Sequence, residues 1–156
     1  MKKYLIYLML AVLGFTTLLF SAPSDAFAAE MKPLGSTGWK YRVDKPHVDG
    51  INNDWHVHVE KGKIKGAETV KGGKSHNKTL TSAGVPKSIQ KKVKETSDFK
   101  KGKEKQAKLD KERKEASKFS WSDLILKPFE LLVGVAVAAG LTVWQVIKAG
   151  PNFIFG

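Results

Sequence analysis

Between Trp39 and Val70 the chain alternates apolar and polar residues. The pattern runs through Trp39-Lys40-Tyr41-Arg42-Val43-Asp44 and again through Trp55-His56-Val57-His58-Val59-Glu60. A period of two puts Trp39, Tyr41 and Val43 on one face of a strand, and Trp55, Val57 and Val59 on one face of the next. Lys61-Gly62-Lys63 reads as a tight turn, Ile64 to Val70 as a third strand, and Lys71-Gly72-Gly73-Lys74 ends it. The expectation is a small antiparallel sheet with one apolar and one polar face. Further on the period changes. Pro86 suits the first position of a helix, where its missing N–H costs nothing. Val85, Ile89 and Val93 follow at i, i+4 and i+8, a narrow apolar stripe able to cover the sheet. This helix is expected to fade near Ser97-Asp98.

Lys100 to Lys118 is almost entirely Lys, Glu, Asp, Gln and Ala. Glu104/Lys108 and Asp110/Lys114 fall at i, i+4 and support an exposed helix by a few tenths of a kcal/mol each. With so few apolar residues, the stretch reads as a charged, partly helical linker over 100–120. The chain then turns hydrophobic. The candidate membrane-inserting positions are Leu131, Leu132, Val133, Gly134, Val135, Ala136, Val137, Ala138, Ala139, Gly140, Leu141, Val143, Trp144, Val146 and Ile147, with only Thr142 and Gln145 clearly polar between them. As one helix they rise about 26 Å, near the lower limit for a bilayer span. Gly134 with Ala138, and Ala136 with Gly140, give the small-xxx-small spacing that lets helices approach closely in lipid. Trp121 and Trp144 near the two ends suit a membrane interface. A buried helix of a water-soluble core is the alternative, but the rest of the chain offers little apolar surface to wrap it. Lys148, Gly150 and Pro151 end the segment, and Asn152 to Gly156 form a short apolar tail.

The N-terminus has its own pattern. Lys2 and Lys3 precede an uncharged apolar run, Leu5 to Phe20, and Ala26-Phe27-Ala28 supplies a small-residue cleavage site. That order is a secretory signal peptide over 1–28, cut between Ala28 and Ala29. An uncleaved anchor is the alternative, although the run is short against a span of roughly 20 residues. The working part is therefore expected outside the cytoplasm, either extracellular at the cell membrane or secreted. The organisation reads as a signal over 1–28, a basic α+β module over 29–99, a linker over 100–120 and a membrane-associating segment over 121–156. If the last segment spans, the basic region of about 100 residues lies outside; the positive-inside bias weakens for loops beyond about 60. Release as a soluble molecule that inserts into another cell's membrane is the other route.

Composition narrows the picture further. There is no cysteine, so neither a disulfide nor a thiolate metal site nor a Cys nucleophile is available. The formal charge is +12, and losing Lys2, Lys3 and Asp25 leaves about +11. Such a balance favours polyanionic partners: anionic lipid, teichoic-acid-type wall polymer or nucleic acid. No Walker loop, G-x-S-x-G elbow, H-E-x-x-H or dinucleotide fingerprint is present, so no cofactor and no small-molecule substrate is inferred.

The candidate chemistry lies in the histidines. His47, His56, His58 and His76 fall within 30 residues. His56 and His58 project from the polar face of their strand. Three readings stay open. In the first, His56 or His58 with His76 acts as acid and base on a phosphodiester, and Lys74 or Lys78 steadies the phosphoryl charge, as in a metal-independent ribonuclease. In the second, His-x-His with a third His, Asp54 or Glu60 binds zinc or copper. In the third, the imidazoles are ordinary polar-face residues. The candidate catalytic set is His56, His58, His76 and Lys74, with no metal ligands assigned.

The segments Gly38-Trp39-Lys40-Tyr41-Arg42-Val43-Asp44-Lys45-Pro46-His47, His56-Val57-His58-Val59 and Gly72-Gly73-Lys74-Ser75-His76, with Val85-Pro86-Lys87 and the lysine-rich helix after it, resemble small basic modules at the C-terminal ends of bacterial polymorphic toxins. The resemblance covers Gly38 to Lys101, and many such modules are ribonucleases. The fold class expected is α+β: a small antiparallel sheet with one packed helix, a charged helical linker and a C-terminal hydrophobic helix, transmembrane by composition. The function expected is a secreted or envelope-associated bacterial factor, bacteriocin-like or toxin-like, acting at membranes, with an immunity protein as a further partner. A ribonuclease-type toxin module and a non-toxic, membrane-anchored extracellular binding protein are the alternatives.

Overall fold

The computed structural model describes residues 30–48, 53–118 and 130–155. The signal peptide and its Ala28/Ala29 junction lie outside the described residues, as does Trp121.

Four strands form an antiparallel meander in chain order: β1 (Lys32–Pro33), β2 (Lys40–Asp44), β3 (His56–Lys61) and β4 (Ile64–Thr69). β2 to β4 match the expected strands. β1 is an addition at the sheet edge, where Pro33 removes no needed ladder donor. The β3–β4 turn is a two-residue loop, Gly62-Lys63, with Gly62 at φ +55, a conformation glycine adopts without penalty. Register decides the faces. Tyr41 pairs with Val59 and Val43 with Val57, and these side chains share the core face. Arg42 pairs with His58 and Asp44 with His56 on the opposite face.

Helix α1 (Lys87–Glu95) buries Ile89 and Val93, as the stripe predicts. Thr96 closes it and at the same time caps α2 (Ser97–Ala116), its hydroxyl accepting from the Phe99 N–H. Here the structure departs from the sequence expectation. The supposed linker, through Ala116, is most of a 20-residue helix that packs on β2 and along the C-terminal helix, and the expected boundary after residue 99 falls inside it. Its buried positions are Phe99, Gly102, Gln106, Leu109, Arg113 and Ala116, spaced three and four apart as one seam. The seam is hard to see because two of its members are polar and bury only by satisfying every polar atom. The Gln106 side chain accepts from the Trp55 N–H at 2.7 Å and donates to Asp54 at 3.0 Å and Asp110 at 2.7 Å. Arg113 donates to the Phe153 carbonyl, the Asp54 carboxylate and the Asn53 carbonyl at 2.7 to 2.9 Å. Gly102 is small for a reason: a Cβ there would lie 2.8 Å from Val43 Cγ1.

The C-terminal segment also differs from expectation. The continuous helix foreseen over Leu131–Ile147 is two helices, α3 (Glu130–Ala139) and α4 (Val143–Ala149), bent by 96°. Gly140, at φ +69, ends α3 in a Schellman motif, with Gly140 N–H bonding Val137 O at 3.1 Å and Leu141 N–H bonding Ala136 O at 2.8 Å. Two residues later Thr142 starts α4 with a capping box closed by Gln145. A short α5 (Pro151–Phe155) follows. Among the described residues no single helix is long and apolar enough to cross a membrane, though the bent pair passes that test jointly. Leu132, Val135, Ala139, Val146, Phe153 and Ile154 are buried in the same core as the sheet's apolar face. The Trp55 indole N–H reaches Ala138 O at 3.1 Å and ties α3 to the sheet.

Candidate metal centre

All four histidines converge on the sheet face opposite the helices. His56 and His58 stand on β3, in register with Asp44 and Arg42 of β2. His47 comes from the loop that leaves β2. His76 is delivered by a tight hairpin in which Ser75 and Lys78 exchange both backbone hydrogen bonds at 2.9 Å. The two loop residues, His76 and Asn77, have φ of +50 and +60. A two-residue loop with both φ values positive is the type I′ turn, which normally selects Asn-Gly. A histidine held at positive φ stores strain, and such strain concentrates at functional sites.

The rings pack around His56. Its centroid is 4.9 Å from His47, 5.1 Å from His58 and 5.1 Å from His76, and His58 and His76 are 5.0 Å apart. His56 is wholly buried. Its Nδ1–H donates to the Asp54 carbonyl at 3.0 Å, which makes Nε2 the unprotonated nitrogen that accepts from His76. That Nε2 lies 3.3 Å from His76 Nε2. One ring nitrogen each of His47, His56 and His76 falls within 4.8 Å of the others, and Asp44, His56 and His58 form a second such group sharing His56. The Nε2 atoms of His47 and His58 are buried and have no hydrogen-bond partner among the described residues. Asp44, itself buried, accepts from Arg42 Nε at 2.8 Å and stands 3.4 Å from His58 Nε2.

These surroundings keep the inner imidazoles neutral. Burial lowers the pKa of His56, and the nearby His47 and His76 add to this against the opposing Asp54 carbonyl and Asp44. Burial also drives His58 down to about 3, helped by His56, Arg42, His76 and His47.

The structure thus brings His56, His58 and His76 together and adds His47 and Asp44. The clustering of every histidine within 30 residues was the only sequence signal for His47. Lys74 stands apart: it lines a neighbouring cleft with Asp54, Lys71, Ser75, Arg113 and Lys114, whose lining holds no histidine. Acid–base cleavage needs a phosphodiester between the two groups. His56 is sealed from solvent and touches His76, so the pair as it stands leaves no such space. The arrangement is chemically suited to ligation: imidazole nitrogens within 4.8 Å of one another, with the His56 ring oriented by an outer hydrogen bond.

No protein-family model matches the chain, and no curated protein or solved structure matches it.

Proposed function

We propose that this chain is an exported basic domain that binds a zinc-class transition-metal ion through His47, His56 and His76. The observation that carries the reading is the 3.3 Å between His56 Nε2 and His76 Nε2. Two nitrogens bound at 2.0–2.1 Å to one tetrahedral ion lie about 3.3–3.4 Å apart. The His56 Nδ1–H bond to the Asp54 carbonyl is the kind of outer contact that orients a ligating imidazole. An all-imidazole donor set, without thiolate, suits Zn(II), Cu(II) or Ni(II) over softer ions. His76 is exposed and gives an ion a way in.

Calorimetric titration of chelator-treated protein with Zn(II), and then Cu(II), tests this. Stoichiometric binding is expected, lost in His56→Ala and in His76→Asn. The second variant keeps a residue at home at positive φ, so the turn survives while the ligand goes. At a hundredfold excess over Kd the ion should stabilise the fold by about 2.7 kcal/mol. Wild-type protein that takes up none of these ions removes the proposal.

A second reading, a membrane-acting and toxin-like role, is supported by the bent α3–α4 pair, whose combined length and composition match a broken span or a re-entrant loop. Val137 is 74% exposed and Trp144 48% exposed on that pair. Flotation of the protein with anionic vesicles addresses it. Val137→Asp should abolish flotation without harming the fold, because the side chain is mostly exposed. Equal flotation of wild type and variant sinks this reading.

A further inference from the structure

Beside the histidine cluster lies a cleft of about 500 Å³ that the metal reading does not use. Its walls hold Lys71, Lys74, Arg113 and Lys114 against two carboxylates, Asp54 and Asp110. Both carboxylates are already compensated. Arg113 binds Asp54 at 2.8 Å, and the Lys71 ammonium binds Asp54 at 2.9 Å and Asp110 at 3.2 Å. Lys74 and Lys114 have no carboxylate partner among the described residues. The cleft therefore carries an excess positive charge in a concave setting, where field lines concentrate.

Ser75 adds direction. It is 3% exposed, it lines this cleft, and its Oγ has no hydrogen-bond partner among the described residues. Its backbone N–H and C=O are both committed to Lys78, so the hydroxyl is its one unused polar group. A buried hydroxyl without a partner is unfavourable, and an incoming anionic oxygen would relieve it. The strained His76-Asn77 turn that delivers His76 to the histidines also holds Ser75 against the cleft.

We infer that this cleft is a phosphate-binding subsite, with Lys74 and Lys114 supplying charge and the Ser75 hydroxyl donating to a phosphate oxygen; its chemical class of ligand is the phosphate group of a phosphodiester. The inference stands apart from metal binding, since the lining contains no histidine.

The test is titration of the full chain with inorganic phosphate, followed by ³¹P line broadening and calorimetry, with and without chelator. Lys74→Gln combined with Lys114→Gln should weaken binding about tenfold or more, as expected for losing charge-assisted contacts. Ser75→Ala should weaken it several-fold with its melting temperature unchanged or raised, because the hydroxyl it removes is unpartnered. Lys63→Gln, at the far turn of the β3–β4 hairpin, should change nothing. Zn(II) titration of the same variants is expected to be unaltered, which keeps failure of this site distinct from failure of the metal site. Competition with glycerophosphoglycerol and with a dinucleotide, both phosphodiesters, names the carrier by whichever displaces phosphate. The inference is overturned by absence of phosphate binding, by equal weakening in Lys63→Gln, or by failure of both competitors.

Discussion

Replacing Leu109 with Ala tests the most consequential difference between the sequence expectation and the fold. As part of a solvated linker, Leu109 would cost almost nothing to truncate, since exposed changes usually stay within about 0.5 kcal/mol. In the structure it is fully buried on the α2 seam, within the core that also holds Val57, Leu132 and Val135. Truncating a fully buried leucine removes its transfer energy and leaves a cavity, together about 3 kcal/mol within a 2–5 kcal/mol range. For a domain of this size each kcal/mol moves the melting temperature by about 4 °C, so the expected drop is roughly 12 °C. Thermal unfolding followed by circular dichroism at 222 nm measures it, with urea titration as a second route to the same free energy. Lys103→Ala, on the exposed face of the same helix, is the control and should melt within about 2 °C of wild type. A Leu109→Ala variant that melts like the control would mean that α2 is not part of the core, and the packing of α3 upon it would fall as well.

Two further outcomes follow from the buried polar groups. Burial raises the Asp54 carboxyl, but hydrogen bonds and charge from Lys71 and Arg113 outweigh it and hold the group below its usual range. Asp54→Ala should therefore destabilise by about 3 kcal/mol, because Arg113 is left buried without its carboxylate. Adding Arg113→Met should recover part of that loss, measured as a non-additive shift in the urea midpoint; strict additivity would mean the two groups do not act as a unit. The pH dependence has a definite sign. His56 and His58 hold protons less readily folded than unfolded, so the unfolded chain binds more protons as pH falls. Stability is full above about pH 6.5 and declines as the pH falls below it, for His58 toward about pH 3 and by up to about 1.4 kcal/mol per unit. Urea midpoints at pH 7.5 and 5 should differ in metal-free wild type and differ less in His58→Gln; identical gaps would show that His58 does not carry the effect.

Much of the fold is written in local patterns. The period-two alternation located β2 and β3 and assigned His56 and His58 to the face away from the core, and the turns at Lys61-Gly62-Lys63 and Lys71-Gly72-Gly73-Lys74 bounded β4. The Val85, Ile89, Val93 stripe located α1. These succeed because a strand or an amphipathic helix repeats its environment at a fixed interval. Two local signals are masked by the composition around them. Gly140 followed by Thr142-x-x-Gln145 is a helix stop and a helix start, which an apolar average over the segment hides. Phe99, Gly102, Gln106, Leu109, Arg113 and Ala116 form a continuous seam only because Gln106 and Arg113 face inward.

The candidate site divides the same way. Sequence alone placed four histidines in one stretch, put two of them on one strand face, excluded cysteine ligands and set the strongly basic balance. Contact among those histidines, the His47 and Asp44 contributions, the neutral state of the inner rings and the cleft next to them depended on tertiary structure. A loop after β2 and a positive-φ hairpin after β4 have no periodicity to read, and only the sheet register brings their tips to the same point. The burial of Gln106 and Arg113 was likewise decided in three dimensions. A polar residue enters a core only where its hydrogen bonds are satisfied, and here Asn53, Asp54, Trp55 and Phe153, all distant in the chain, do so together with Asp110 of the same helix.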